Sequence, residues 1–258
     1  MRINIIGIGN VGSHLSRALQ EAGHEVTEVR ARSASSGEGA QAGSSNGTLP
    51  EADLCIISVK DAFLEETARR FIPLCSNALW VHTAGTMDID VLSGKGASAI
   101  GVFYPMQTFS KEREVNFRDI AIFLECPDEA CRVMLEQLAR SLTEKVYWLS
   151  STQRRHLHVA AVFGCNFVNH CYALCEDVLK GIGLPFDVML PLIDETARKV
   201  HQLSPRQAQT GPAVRGDNNV RTAQWQLLAD NPLRQTIYDL MSESIQRTHK
   251  EAGQETAH

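Results

Sequence analysis

The chain has 258 residues, of which 43% are hydrophobic and 21% are charged, and its formal net charge is −5 at pH 7. This length is typical of one large or two modest globular domains, and the acidic balance argues against a general nucleic-acid binder. The longest apolar run, residues 159–168, is too short to span a bilayer, so no membrane partner is expected. No secretory leader is expected either, because the first predicted strand begins almost at residue 1.

Seven cysteines are an odd number, and most of them lie inside apolar patterns. Free buried thiols in a reducing cytoplasm are the simplest interpretation. His170, Cys171 and Cys175 could gather at a metal ion, but the chain has no C-x-x-C pair and no second ligand pair. Core thiols along a helix are therefore favoured, and no metal site is predicted.

A glycine-rich turn follows the first predicted strand at residues 3–6 and precedes a predicted helix at residues 13–22. A strand, a glycine turn and a helix form the fingerprint of a dinucleotide-binding unit. Its first glycine permits the tight turn, the second lets the backbone approach a pyrophosphate, and the third lets the helix pack closely. A turn without a ligand is the alternative. The predicted phosphate-binding residues are Gly7, Ile8, Gly9, Asn10, Val11 and Gly12.

Strand and helix patterns alternate up to about residue 150. Strands are predicted at residues 24–31, 53–59, 79–83, 97–103, 120–124 and 146–149, and helices at residues 62–71 and 128–142. Residues 32–50 are rich in Ser, Gly and Ala and are predicted as a loop or a weakly formed helix. This alternation predicts an α/β fold, a Rossmann-like, mainly parallel sheet that binds its ligand at the carboxyl ends of the strands.

The second half of the chain has an all-helical pattern. Helices are predicted at residues 153–180, 185–200, 219–228 and 233–248. We therefore place a boundary near residue 150. Residues 1–150 are predicted to form a Rossmann-like dinucleotide-binding domain, and residues 151–258 a helical domain for substrate binding and dimerisation.

The residue about twenty positions after the glycines distinguishes NAD from NADP, because an acidic side chain there holds a ribose 2′-hydroxyl. In this chain the position is Arg32, followed by Ser33. An arginine pairs with a 2′-phosphate, and a serine adds a hydrogen bond. One alternative is that Arg32 is simply solvated. Another is that Glu28 binds the ribose 2′-hydroxyl, but Glu28 lies too far inside the predicted strand for that contact. The expected cofactor is NADP(H), bound through Arg32 and Ser33.

Residues that follow the other predicted strands should face the same ligand. We expect Ser58, Val59, Lys60, His82 and Thr83 to contact the cofactor. Substrate contacts are expected from His82, Tyr104, Gln107 and Thr210, the last in a polar turn between helices. The alternative for His82 is a bond to the backbone of the next loop, and for Tyr104 and Gln107 it is packing.

The predicted catalytic residues are His158 and Asn166. They are eight positions apart, a little over two helical turns, and therefore share a face. A histidine can give a proton to a carbonyl or imine, or take one from an alcohol, and an amide can orient the substrate. The alternative is a histidine satisfied by interdomain packing.

Six stretches, distributed in order along most of the chain, carry a resemblance to known enzymes. They are residues 7–12, 32–33, 82–86 (HTAGT), 101–109 (GVFYPMQTF), 157–166 (LHVAAVFGCN) and 210–217 (TGPAVRGD). The chain resembles NADP-dependent oxidoreductases that join a Rossmann-like domain to a helical domain of the 6-phosphogluconate dehydrogenase type. Pyrroline-5-carboxylate, deazaflavin-dependent NADP and ketopantoate reductases and prephenate dehydrogenases are wider relatives. The resemblance implies a homodimer through interlocking helical domains and a site between the domains, without naming a substrate.

Two departures from these relatives bear on the activity. Prephenate dehydrogenases carry His-Pro-Met where this chain has Tyr104-Pro105-Met106, and several relatives use a lysine where this chain has none between Lys145 and Lys180. The leading hypothesis is an NADP(H)-dependent oxidoreductase that acts on a small carbonyl, imine or hydroxy-acid substrate. The alternatives are an NADP-binding sensor without turnover and a prephenate- or arogenate-like dehydrogenase.

Overall fold

The structure, a computed structural model, describes residues 1–31 and 48–255. The chain divides into two compact units, Met1–Asn166 and Phe167–His258. The division falls later than the boundary expected at residue 150. The physical reason is that the helix after residue 150 packs on the sheet through Ser151 and Arg154, which are both buried.

The first unit is built on a seven-stranded sheet with the strand order β2-β1-β3-β4-β5-β6-β7. The strands are β1 (Arg2–Ile6), β2 (Glu25–Val29), β3 (Leu54–Ile57), β4 (Leu79–His82), β5 (Ala99–Met106), β6 (Ala121–Glu125) and β7 (Val146–Trp148). All neighbouring pairs are parallel except β5 and β6. This confirms the predicted α/β, mainly parallel sheet. The antiparallel pair arises where the connection contains no long crossover helix, which a parallel connection usually has.

Strand β5 extends further than the sequence predicted and contains Tyr104, which was expected to follow the strand. The extension pairs with β6, with Pro105 opposite Ile122. On its other side β5 pairs with β4 only as far as Val102. Pro105 therefore has no strand at that side, which is where a sheet tolerates a residue without a backbone N–H.

Four α-helices cover the sheet: α1 (Asn10–Glu21), α2 (Asp61–Phe71), α3 (Glu129–Leu142) and α4 (Ser151–Ala161). Short 3-10 turns lie at Ile72–Leu74, Ile89–Leu92 and Phe117–Asp119. Side chains alternate along each strand, so that Ile5 joins one buried cluster and Ile6 another. Asp128 caps α3 by accepting hydrogen bonds from the backbone N–H groups of Ala130 and Cys131.

The long helix predicted from residue 153 to 180 is interrupted. Helix α4 passes into a π-helix at Val162–Phe167, and α5 (Val168–Gly181) follows it. The second unit continues with a 3-10 turn at Phe186–Met189 and with α6 (Leu190–Lys199), α7 (Pro205–Ala208), α8 (Pro212–Arg215), α9 (Asn218–Gln226) and α10 (Pro232–Glu255). None of the helices within the described ranges is long and apolar enough to cross a membrane.

The second unit buries few apolar side chains. Among its described residues the buried hydrophobic ones are Leu179 and Ala213, whereas Ile182, Leu192 and Leu227 are among many that are exposed. Arg234 of α10 contacts Asp177 of α5 at 3.4 Å and so holds these two helices together. Among the residues that the structure describes, this unit therefore exposes much of its apolar surface.

Candidate active site

The glycine turn has the geometry that the fingerprint requires. Gly7 has a φ of +101°, and a Cβ there would lie closer than 3.0 Å to the backbone of Ser58. A Cβ on Gly12 would lie closer than 3.0 Å to the carbonyl oxygen of Gly7. A Cβ on Gly9, in contrast, would meet no atom within 4 Å. The outer two glycines are needed by the fold, and the open space at Gly9 lets a ligand approach the backbone.

Helix α1 begins directly after this turn, with Gly9 as its N-cap. No side chain among the described residues caps this end, and no acidic residue lies in its first turn. The first N–H groups and the positive end of the helix dipole are therefore available to an anion. Asn10 donates from its side chain to the carbonyl oxygen of Phe109 at 3.0 Å, which ties the turn to the loop after β5.

A cavity of about 860 Å³ lies in front of the glycine turn. Of the predicted cofactor residues, Gly7, Ile8, Gly9, Ser58, Val59 and Lys60 line it. Its wall also holds four basic residues that the sequence reasoning missed, Arg17, Arg30, Arg70 and Lys111, with Glu66 as the acidic lining residue. A basic cavity at a helix N-terminus suits a ligand with several phosphates. Arg70 could have been predicted from the sequence, because Phe63, Thr67 and Arg70 are four and three positions apart and therefore lie on one face of α2.

The residues predicted to select NADP, Arg32 and Ser33, lie outside the described residues, so that assignment stays a prediction. Arg30, two positions earlier, lines the cavity. Glu28, the alternative ribose acid, accepts a hydrogen bond from the hydroxyl of Ser16 at 2.7 Å. This bond joins β2 to α1 and gives the Glu28 carboxylate a structural partner.

Thr83 is linked to the glycine turn through Ser58. Its hydroxyl donates to the hydroxyl of Ser58 at 3.3 Å. The side-chain oxygen of Ser58 is in turn 3.3 Å from the position that a Cβ on Gly12 would take. Ser58 therefore packs against the glycine turn, and Thr83 holds the Ser58 hydroxyl. Ser58 also lines the cavity.

His82 is fully buried at the end of β4. Its Nδ1 accepts a hydrogen bond from the backbone N–H of Ala84 at 3.1 Å. Burial, and secondarily the charge of Arg154, lowers its pKa to about 3. His82 is thus a neutral side chain that holds the loop after β4, which fits the alternative of backbone binding better than contact with a substrate.

This burial predicts an acid-dependent loss of stability. The unfolded chain gains a proton at His82 near its ordinary pKa of 6.5, but the folded chain gains it only near 3. Stability is therefore complete above pH 6.5 and falls as the pH drops, by up to about 1.4 kcal/mol per pH unit. Urea unfolding at pH 7 and pH 5 should show a steeper loss for the wild type than for His82→Asn, which keeps an acceptor for Ala84. Equal losses in the two proteins would contradict this assignment.

The predicted proton donor, His158, meets Tyr104 in the structure. The Tyr104 hydroxyl lies 3.1 Å from Nδ1 of His158, and the two ring centroids are 6.2 Å apart. Burial raises the pKa of the Tyr104 phenol, so the hydroxyl keeps its proton and can donate a hydrogen bond to Nδ1. When the ring is neutral, this bond places its one proton on Nε2, which leaves Nε2 free to face a substrate.

Gly85 lies against this pair. A Cβ on Gly85 would be 2.5 Å from Nδ1 of His158 and 3.0 Å from the Tyr104 ring. A glycine is therefore required for the loop after β4 to approach His158. Gly85 belongs to the HTAGT stretch that carries the family resemblance, and no role was predicted for it.

The other predicted residues occupy different settings. Asn166 is exposed within the π-helix. Eight residues of regular α-helix end about 80° past two full turns. The π-helix turns each residue through a smaller angle, so it reduces the offset between Asn166 and His158. Gln107 is exposed and its side chain accepts from the N–H of Thr108 at 2.8 Å, and Thr210 is exposed in the second unit.

Within the described ranges, no group of three His, Cys, Asp or Glu side chains is arranged to hold a metal ion. All seven cysteines are free thiols. Cys55 is buried, and burial raises the pKa of its thiol.

Two domain families match the sequence. Residues 1–106 match the Rossmann-like domain, and residues 120–245 match DUF2520, a domain of unknown function. No curated protein matched.

Solved structures extend this comparison. A candidate NADP oxidoreductase from Bacteroides fragilis is 43% identical, with a TM-score of 0.85 over 95% of this chain and 98% of the other. A protein from Thermotoga maritima is 17% identical, with a TM-score of 0.71 over 97% and 99% of the two chains. An imine reductase from Myxococcus stipitatus, solved with NADP⁺, is 15% identical, with a TM-score of 0.63 over 98% and 95%. The last two similarities show the fold alone.

Proposed function

Because this chain belongs to the family of the Bacteroides fragilis oxidoreductase, we propose that it is an NADP(H)-dependent oxidoreductase. The observation that carries the proposal is the open backbone at Gly9, which faces a cavity lined by basic residues. The proposed cofactor contacts are the residues of the glycine turn, Ser58, Val59, Lys60 and Thr83, together with Arg32 and Ser33. Arg30 is an addition to this set.

The proposed reaction is the reduction of a small carbonyl or imine, or the reverse oxidation of a hydroxy acid. When bound, NADPH supplies a hydride to the substrate carbon. His158, as the imidazolium, donates from Nε2 the proton that the substrate oxygen or nitrogen gains and becomes the neutral ring, so that a C=O group becomes an alcohol and a C=N group becomes an amine. Tyr104 holds the ring of His158, and Asn166, Gln107 and Thr210 are proposed to bind the polar end of the substrate.

The test is NADPH oxidation by the purified protein with pooled 2-keto acids, cyclic imines and aldehydes. Oxidation that depends on one pool supports the proposal and identifies the substrate class. Tight NADPH binding without oxidation in any pool would instead favour a sensor without turnover. NADP⁺ reduction with arogenate or prephenate would support the dehydrogenase alternative.

The choice of NADP over NAD is expected to depend on Arg32. In Arg32→Asp, NADPH affinity should fall about 10- to 100-fold, since a charge-assisted hydrogen bond to the 2′-phosphate contributes about 1.5–3 kcal/mol. NADH affinity should change little, and fluorescence titrations of both cofactors measure the difference. The control is Arg69→Asp, because Arg69 pairs with Glu65 and does not line the cavity. Equal losses for both cofactors would contradict the role of Arg32.

We also propose that the chain forms a homodimer through its second unit. The support is the exposed apolar surface there, which includes Leu233 and Leu240, seven residues apart on α10. Sedimentation should give twice the chain mass of 28.4 kDa. Leu240→Glu should shift the protein toward monomer, whereas Leu74→Glu, at an exposed position of the first unit, should not. A monomeric wild type would exclude the proposal.

A further inference from the structure

Arg154 is a charged side chain that the first unit buries almost completely. It lies on α4, and its exposed fraction is 1%. Its guanidinium donates to the carboxylate of Glu125 at the end of β6, to the backbone carbonyl of Met87, and to the hydroxyl of Ser151 at 3.1 Å. One side chain thus joins α4 to the sheet and to the loop after β4.

The partners of Arg154 are themselves fixed. Glu125 accepts hydrogen bonds from the backbone N–H and the hydroxyl of Ser151, both at 2.8 Å. The hydroxyl of Ser151 also accepts from the backbone N–H of Ile89 at 3.1 Å. Burying an ion pair costs desolvation free energy that its attraction often only offsets, so stability alone is a weak explanation for such a network. Its geometric consequence for the neighbouring residues is the more informative property.

The spacing of two contacts shows that consequence. Glu125 lies opposite Val102 in the β5–β6 ladder, and Tyr104 is two residues further along β5. Two residues of strand span about 6.6 Å, and the four residues from Arg154 to His158 span about 6 Å of helix. With Arg154 bound at Glu125, His158 is therefore placed at the level of Tyr104, where the 3.1 Å contact is observed.

The same guanidinium fixes the loop that carries Gly85. Met87, whose carbonyl it binds, is two residues after Gly85. A Cβ on Gly85 would lie 2.5 Å from Nδ1 of His158, so the position of this loop limits where the imidazole can be. Arg154 therefore restricts the position of the His158 imidazole in two ways. It fixes α4, which carries His158, and it fixes the loop after β4, which packs against the ring.

We infer that Arg154 is a positioning residue for His158: it sets the register of α4 on the sheet and holds the loop after β4, so that Nδ1 of His158 meets the Tyr104 hydroxyl. The importance of this contact for turnover rests on the proposed function, but the contact itself does not. Arg154 touches neither substrate nor cofactor in this role.

The test measures the imidazole directly and requires no substrate. Long-range ¹H–¹⁵N spectra of the full-length protein report which nitrogen of His158 is protonated, and His158→Gln assigns the signals. In spectra recorded at a pH where the ring is neutral, the wild type should show one tautomer, protonated at Nε2. Arg154→Gln should show a mixture of tautomers, as Tyr104→Phe should. Arg140→Gln is the control, since Arg140 of α3 forms an exposed pair with Glu136 at 2.9 Å and its described partners lie neither on α4 nor in the loop after β4, and it should keep the wild-type spectrum.

Folding is checked in each variant by NADPH affinity and circular dichroism. If Arg154→Gln does not fold, Arg154→Lys carries the same test, because lysine keeps the charge but cannot bind Glu125 and Met87 through one planar fork. A folded Arg154 variant with wild-type ring shifts would overturn the inference. With an identified substrate, the variant should lose at least about tenfold in kcat with an unchanged NADPH affinity. A protein without turnover would defeat the proposed function and leave the spectroscopic result to decide this inference.

Discussion

Gly12→Ala should abolish measurable NADPH binding and destabilise the first unit, whereas Gly9→Ala should remain as stable as the wild type and lose only affinity. The two glycines are three residues apart in the same turn, but their surroundings differ. A Cβ at Gly12 would collide with the backbone oxygen of Gly7, which is itself held in a turn with a φ of +101°. A backbone collision cannot be relieved by rotating a side chain, so the turn must deform, at a cost of about 1–3 kcal/mol or more.

At Gly9 a Cβ meets no atom within 4 Å in the free protein. Only a ligand that approaches the backbone would meet it. Losing one or two hydrogen bonds to a charged phosphate should raise the Kd for NADPH about 10- to 100-fold, with the melting temperature unchanged.

Calorimetric titration with NADPH and thermal unfolding without cofactor measure the two effects separately. Gly181→Ala is a suitable control, because this glycine of the second unit also has open space around it. Wild-type affinity in Gly9→Ala would remove the cofactor from this turn and with it the main support for the proposed function.

His158→Ala should lower kcat about 10²- to 10⁴-fold on the substrate that the pooled assay identifies, with little change in NADPH affinity. This is the usual contribution of a positioned proton donor. Tyr104→Phe should have a smaller effect in the same direction, because phenylalanine keeps the ring that packs near Phe123 but cannot bond Nδ1 of His158. Steady-state kinetics with saturating NADPH separate kcat from KM.

The matched control for this prediction is His156→Ala. His156 is exposed on the same helix, and its ring bonds only to the carbonyl of Thr152 among its described partners. It should keep wild-type turnover. Unchanged turnover in His158→Ala would show that another group donates the proton.

Features that depend on neighbouring residues could be predicted from sequence patterns alone. The glycine turn, the strands around it and the change to helices after residue 150 are local patterns of turn chemistry and hydrophobic period, and each could be recognised within a short window. The sequence also identified His158 as a candidate, because a histidine in a family motif on a predicted helix can be recognised without knowing which residues it contacts.

Which of these residues contact one another depends on the three-dimensional fold. Tyr104 and His158 are 54 positions apart, and Arg154 and Glu125 are 29 apart, so no local pattern pairs them. From sequence alone, Arg154 would be expected to be exposed to solvent, because burying a charged side chain is costly without an oppositely charged partner. Its partner, Glu125, is distant in the sequence and cannot be recognised from a local pattern. For His82, the sequence predicted a contact with a ligand, because the residue follows an apolar strand. In the structure His82 is buried, and burial together with the charge of Arg154 keeps its ring neutral.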